Sequence, residues 1–135
     1  SIYSYLSSYK DCGVLAMYAA TTPDYIGKTL EVIGRQMKRV KDGDLKDESI
    51  DDVKAQIKGN LLLSRESTVS RMSSLAKNEM YYNREVSVEE VLEKIQAVSL
   101  DQIISLANDI FIPEKMTLVS LGKMEEQVLK ATAIL

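Results

Sequence analysis

The sequence has no histidine and one cysteine, Cys12. The missing histidine excludes the Ser-His and Cys-His nucleophile pairs. It also excludes every histidine-ligated zinc site, among them H-E-x-x-H and its inverse H-x-x-E-H. A single cysteine excludes intrachain disulfides and zinc fingers. Cys12 lies in Lys10-Asp11-Cys12-Gly13 and reads as a small turn residue rather than a reactive thiol. No apolar run approaches the ~18 residues of a membrane span, so no membrane partner is expected. An excess of basic charge is also lacking. Seventeen Lys and Arg face 20 Asp and Glu, a net charge of −3. That balance argues against a nucleic-acid partner held by counterion release. No repeat, linker or low-complexity tract divides the chain, so one domain over residues 1–135 is expected. No signal peptide or initiator Met is present, and Ser1 opens in mid-strand, so the chain reads as part of something longer. Nothing suggests secretion, and a cytoplasmic location is the expectation.

What is present is patterned. Ile2 to Tyr9 alternates Tyr and Ser with apolar residues, the period of a strand. Val14 to Ala20 is a near-continuous apolar strand beyond the turn, and the two predict an antiparallel hairpin. Thr22-Pro23-Asp24 is a helix start with a hydroxyl cap. Ile26, Leu30, Ile33, Met37 and Val40 recur on one helical face, which should pack on the sheet. Lys38, Arg39 and Lys41 suit the helix C-terminus, and Gly43 ends it. A second helix should bury Ile50, Val53, Ile57 and Leu61. Ser64, Ser67 and Thr68 interrupt it before the pattern resumes from Val69 to Met80. Ser87-Val88-Glu89-Glu90 and Ser99-Leu100-Asp101-Gln102 read as capping boxes opening two further helices. Pro113 stops the last. Met116 to Leu121 predicts a strand closed by Gly122, and Met124 to Leu135 a weak helix. The fold class is therefore α+β: an antiparallel sheet with helices layered on one face.

Candidate chemistry is thin. Ser74-Leu75-Ala76-Lys77 fits the S-x-x-K spacing of a serine-lysine nucleophile, but the S-D-N and K-T-G partners are absent, and a solvated helix face explains it better. The acids from Asp42 to Asp52 lack the offsets of a calcium loop, because Gly43 is misplaced, and they suit a solvated helix start. Arg35, Lys38, Arg39 and Lys41 lack the interleaved aromatics of a nucleic-acid surface. Tyr3, Tyr5, Tyr9 and Tyr18 could line a peptide-binding surface, since tyrosine joins an apolar body to a polar tip, or could simply pack a strand. Glu66 and Arg71 could form an ion pair, worth little if exposed.

The string Gly59-x-Leu61-x-Leu63-x-x-Glu66-Ser67-x-x-x-Arg71-Met72, preceded by Tyr5-Leu6 and Cys12-Gly13 and followed by Leu75 and Glu79-x-Tyr81-Tyr82, resembles the C-terminal half of the insulinase/pitrilysin-type zinc metallopeptidases. The bacterial members similar to mitochondrial processing peptidase are the nearest likeness. The resemblance covers nearly the whole chain. It implies a protein of related α+β halves enclosing a chamber. In such proteins the N-terminal half carries H-x-x-E-H and a distal Glu. Two His and that Glu bind zinc, and the Glu within the motif activates water. The C-terminal half binds no zinc, completes the chamber and helps to hold the peptide substrate.

The resemblance thus implies no catalytic residue and no metal or cofactor in this chain, with zinc in a parent enzyme. The implied partners are the zinc-bearing half, on the same chain or on a partner subunit, and a peptide substrate. The family's Arg and Tyr pair, seven positions apart, ends immediately before the residue matching Ser1, so it is not in this chain. Arg71 and Asn78 have that spacing without the Tyr, and on the wrong element. Tyr3, Tyr5 and Ser7 remain as substrate-binding candidates. Lys46 departs from the hydroxyl cap usual at that helix start. The family's half-domain begins with a further strand and helix, so the fold is expected to be truncated at its N-terminus. A sheet edge is then exposed, and pairing between copies could cover it. Two other readings stay open. One is a non-catalytic scaffold or assembly subunit of the same family. The other is an unrelated α+β interaction domain with no companion half.

Overall fold

A computed structural model describes residues 1–45 and 47–122, and the side chains of 47–49 are outside that description. The elements run β1 (Ile2–Ser8), β2 (Gly13–Ala19), a 3-10 turn (Pro23–Tyr25), α1 (Ile26–Lys41), α2 (Asp47–Ser64), α3 (Thr68–Tyr82), α4 (Val88–Ala97), α5 (Leu100–Ile110) and a second 3-10 turn (Pro113–Lys115). The class is α+β, as the order of patterns predicts. The described residues divide into two compact units, 1–39 with 108–122, and 40–107.

In the first unit β1 and β2 pair antiparallel, Ile2 opposite Ala19 through Ser8 opposite Gly13. Ser1 and Ala20 extend the ladder by exchanging two hydrogen bonds, at 3.0 and 2.8 Å. At the other end the Tyr9 amide donates to the Cys12 carbonyl at 2.9 Å across the Lys10–Asp11 turn. The following helix begins differently from expectation. Thr22 is extended, but its hydroxyl makes no cap bond. Pro23 instead opens a 3-10 turn, with the Tyr25 amide donating to the Thr22 carbonyl at 3.0 Å. The expected face of α1 is inward: Met37 is buried, and Ile26, Leu30, Ile33 and Val40 are half-buried.

The expected strand at Met116–Leu121 is not formed among the described residues. The segment carries no ladder, and Val119 and Leu121 are exposed. Alternation and β-branching suit a pleated surface, but a strand exists only when a neighbour accepts its hydrogen bonds. The helix expected over Met124–Leu135 lies outside the described residues, as does Lys46.

In the second unit the Ser64–Thr68 interruption is real and separates α2 from α3. The Ser64 hydroxyl donates back to the Leu61 carbonyl at 2.7 Å, and Ser67 caps α3 by accepting from the Ser70 amide at 3.3 Å. Asn83, at φ 51°, ends α3 in the left-handed region, a conformation asparagine tolerates. Ser87 caps α4 through the Glu90 amide. The Ser99–Gln102 box closes in both directions, at 2.9 and 3.3 Å. Lys54 ties α2 to the end of α4 by donating to the Gln96 carbonyl at 3.0 Å. The expected inward face of α2 is only partly so: Ile50 and Leu61 are half-buried, whereas Val53 and Ile57 are exposed. Among the described residues Met37 and Ala107 are the buried apolar side chains. The apolar periodicity thus marks surfaces that this chain by itself leaves open.

Candidate functional site

The hairpin register decides which side chains share a face. Directly opposed residues project to the same side, and neighbours alternate. Tyr3, Tyr5 and Ser7 of β1 therefore lie with Tyr18, Ala16 and Val14 of β2. The other face carries Ile2, Ser4 and Leu6 with Ala19, Met17 and Leu15. Tyr3 stacks on Tyr18 at a ring separation of 4.9 Å and meets Tyr5 at 6.2 Å, tilted. Tyr3 and Tyr5 are about half exposed, at 54% and 51%, while Ser7 and Ala16 are half-buried. The three sequence candidates thus share one aromatic strip. Tyr18, grouped with Tyr3 and Tyr5 from the sequence, joins it through the register, whereas Tyr9 lies beyond β1. Such a strip offers flat apolar contact with hydroxyl tips, suited to an extended peptide. Its polar groups are hydroxyls, and the strip carries no basic side chain to activate one.

In the second unit a cleft of about 90 Å³ lies between the end of α2, α3 and the start of α4. Ser64, Ser70, Ser74 and Asn78 line it beside Leu61 and Val91. Several waters fit there. Ser74 faces the cleft, but Lys77 does not line it and makes no hydrogen bond to Ser74. The serine-lysine pattern is therefore a coincidence of spacing.

The strongest electrostatic feature is Glu90. Arg84 grips its carboxylate with two bonds, at 2.7 and 2.8 Å, and Lys94 adds a third at 2.7 Å. The hydrogen bonds from Arg84 first, and from Lys94 next, hold the Glu90 carboxyl down at about 2, from an ordinary 4.5. Because the folded value is lowered, the stabilisation is complete above the ordinary value. It is lost as pH falls from there toward 2. Being exposed, the cluster is screened by salt. A carboxyl-detected NMR titration is expected to place the Glu90 midpoint near 2, returning toward 4.5 in Arg84→Ala. A midpoint that Arg84→Ala leaves in place would show the pairing to be absent in solution.

The remaining candidates stay apart. Among the described residues no three His, Cys, Asp or Glu side chains gather as metal ligands. Glu66 and Arg71 form no ion pair. Of the basic group, Arg39 bonds Gln36 at 3.1 Å, and Arg35, Lys38 and Arg39 face solvent. Cys12 is a free, exposed thiol. No described helix is long and apolar enough to cross a membrane.

Comparison with known proteins gives the frame for these features. Residues 1–57 match the family model described as the peptidase M16 inactive domain. The chain is 34% identical over 111 residues to the uncharacterized zinc protease YmxG of Bacillus subtilis, covering 82% of this chain and 27% of that protein. It is 31% identical over 124 residues to the mitochondrial-processing peptidase subunit beta of Saccharomyces cerevisiae, covering 90% of this chain and 27% of that subunit. A third relative, the uncharacterized zinc protease SCO5738 of Streptomyces coelicolor, is 27% identical over 94% of this chain and 28% of its own length. The chain therefore spans about a quarter of the length of the curated relatives it matches.

Proposed function

We propose that this chain, whose residues 1–57 match the peptidase M16 inactive domain and most of which matches zinc-protease relatives, is the chamber-forming and substrate-holding portion of a zinc-dependent endopeptidase of that family. The zinc, the general base and the cleavage belong in this reading to a separate half, on the same chain or on a partner. The residues here do not fit a zinc site. There is no His, the lone Cys12 is exposed in a turn, and no acidic cluster gathers among the described residues. No catalytic step is therefore assigned to this chain. A cytoplasmic location accords with a free thiol left exposed.

The observation that carries the reading is the strip of Tyr3, Tyr5 and Tyr18. It is open, aromatic and ordered by stacking, and it lies inside the matched residues 1–57. Tyrosine rings held in place on a strand lose little freedom when a peptide docks, so their contact energy goes into binding. Substrate is held there without being activated. In the full-length enzyme, Tyr3→Ala and Tyr5→Ala are each expected to raise KM about tenfold, for loss of ~1.4 kcal/mol of contact, with kcat unchanged. Tyr82→Ala, on α3, serves as the control. Unchanged KM in both strand variants would remove the substrate-holding role.

A further inference from the structure

Three polar side chains that line the cleft between α2, α3 and α4 are not used by the fold. The walls of this cleft all come from Leu61 to Val91, one uninterrupted stretch within the helical unit. An amphipathic helix ordinarily turns its apolar residues inward. α3 does the reverse: its half-buried positions are Ser74 and Asn78, while Val69, Met72 and Met80 are exposed. Side chains four apart on a helix stand about 5–6 Å from each other, so the hydroxyl and the amide reach the cleft as one polar pair. Among the described residues neither side chain has a hydrogen-bond partner, and neither is sealed from solvent. Arg65 also lines the cleft, is half-buried, and has no side-chain hydrogen bond or ion pair among the described residues. Drawing a cation and two polar groups partly out of water without partners is unfavourable. No acidic side chain lines the cleft among the described residues, and Leu61, Val88 and Val91 form an apolar side to it.

We propose that this cleft binds a carboxylate group carried on a short aliphatic stem. Arg65 supplies the charge, Ser74 and Asn78 donate neutral hydrogen bonds, and Leu61, Val88 and Val91 receive the stem. The guanidinium fork matches a carboxylate with two parallel bonds. The number of charges selects the ligand. One cation balances one carboxylate, whereas a phosphate monoester carries about −1.5 to −2 and would leave charge uncompensated in a half-buried site. Arg84 and Lys94 do not make up the difference, because Glu90 already holds both. Volume limits the size. About 90 Å³ is well below the ~300–1,000 Å³ that encloses a whole drug-sized ligand, so the cleft takes a terminal group or a small acid rather than a length of peptide. A free short-chain acid and the C-terminus of a peptide ending in a small aliphatic residue share this chemistry. Binding there requires neither zinc nor the tyrosine strip.

Isothermal titration of the full-length protein tests this with four probes. They are butyrate, an acetylated tripeptide ending in valine, the same tripeptide amidated at its C-terminus, and inorganic phosphate. Millimolar or tighter binding of a free carboxylate is expected. Arg65→Gln should weaken it at least about tenfold, the worth of hydrogen bonds to a charged group. Arg65→Lys keeps the charge and much of the stem but not the fork, and should weaken it less. Ser74→Ala should weaken it about threefold, the worth of one neutral hydrogen bond. Should Arg65→Gln disturb folding, Ser74→Ala removes only a hydroxyl and gives the same readout. Binding of butyrate alone identifies a free acid as the source, and binding of the tripeptide alone identifies a peptide end. Binding of both shows a site open to either, and each of these supports the proposal. Failure of both carboxylates to bind overturns it. So does binding that Arg65→Gln and Ser74→Ala both leave unchanged, or binding of the amidated tripeptide or phosphate as tight as that of the carboxylates.

Discussion

Incubated with zinc and a fluorogenic peptide, the chain alone is expected to release no product above the uncatalysed rate. Addition of the zinc-bearing half should raise hydrolysis by at least about 10⁶-fold, the lower end of enzymatic acceleration. Peptide hydrolysis at neutral pH needs a water of lowered pKa and a base to take its proton, or an activated nucleophile. Among the described residues neither is assembled: the sequence has no His, Ser74 has no basic partner, and Glu90 is committed to Arg84 and Lys94. Two results would contradict the proposed division of labour. One is chelator-sensitive cleavage by this chain alone. The other is a zinc-bearing half equally active without it.

Replacement of Gly43 by Ala should destabilise the helical unit by about 1–3 kcal/mol. Gly43 sits at φ +69°, where any Cβ costs about 1–2 kcal/mol. Its amide closes α1 by donating to the Val40 carbonyl at 3.2 Å. A Cβ there would also lie 2.7 Å from Cδ1 of Ile104 on α5, so that side chain must swing away. Two variants separate the contributions. Gly43→Asn should lose less, since asparagine tolerates this region. Adding Ile104→Val to Gly43→Ala should relieve the collision and leave the conformational cost. Urea denaturation followed by helical ellipticity measures all three. An unchanged midpoint in Gly43→Ala would show that the turn is not held as described.

What sequence could show was local chemistry. Hairpin, turn, five helices and two serine caps follow from short patterns, and each is satisfied by residues within a turn or two of one another. Gly43 and Pro113 act through their own dihedrals and needed no context. Thr22 failed as a side-chain cap because Pro23 tightened the first turn. Met116–Leu121 failed as a strand, and Val53 and Ile57 as inward residues, for a different reason. Their patterns specify a surface to be covered, and covering needs a neighbour that the pattern does not supply. The site divided in the same way. Tyr3, Tyr5 and Ser7 share a face by simple alternation. The stacking of Tyr18 on Tyr3 depends on where the turn sets the register, which several readings of Lys10-Asp11-Cys12-Gly13 would have placed differently. The Arg84–Glu90–Lys94 cluster was hidden because Glu90 was read as half of a capping box. The structure uses its backbone for the cap and its carboxylate for the cations.

The turn at Lys10–Asp11 sets a clock. Contacts this close in sequence form early: a hairpin zips in about 1–10 μs. Meeting a partner is slower. At ~1 μM, with association constants of 10⁵–10⁷ M⁻¹s⁻¹, encounter takes about 0.1–10 s. A newly folded β1–β2 ribbon therefore waits at least ten thousand times longer than it took to form, with Ile2 and Leu6 in water throughout. Any surface that a second chain is to cover is thus already in place on the finished hairpin before that chain arrives.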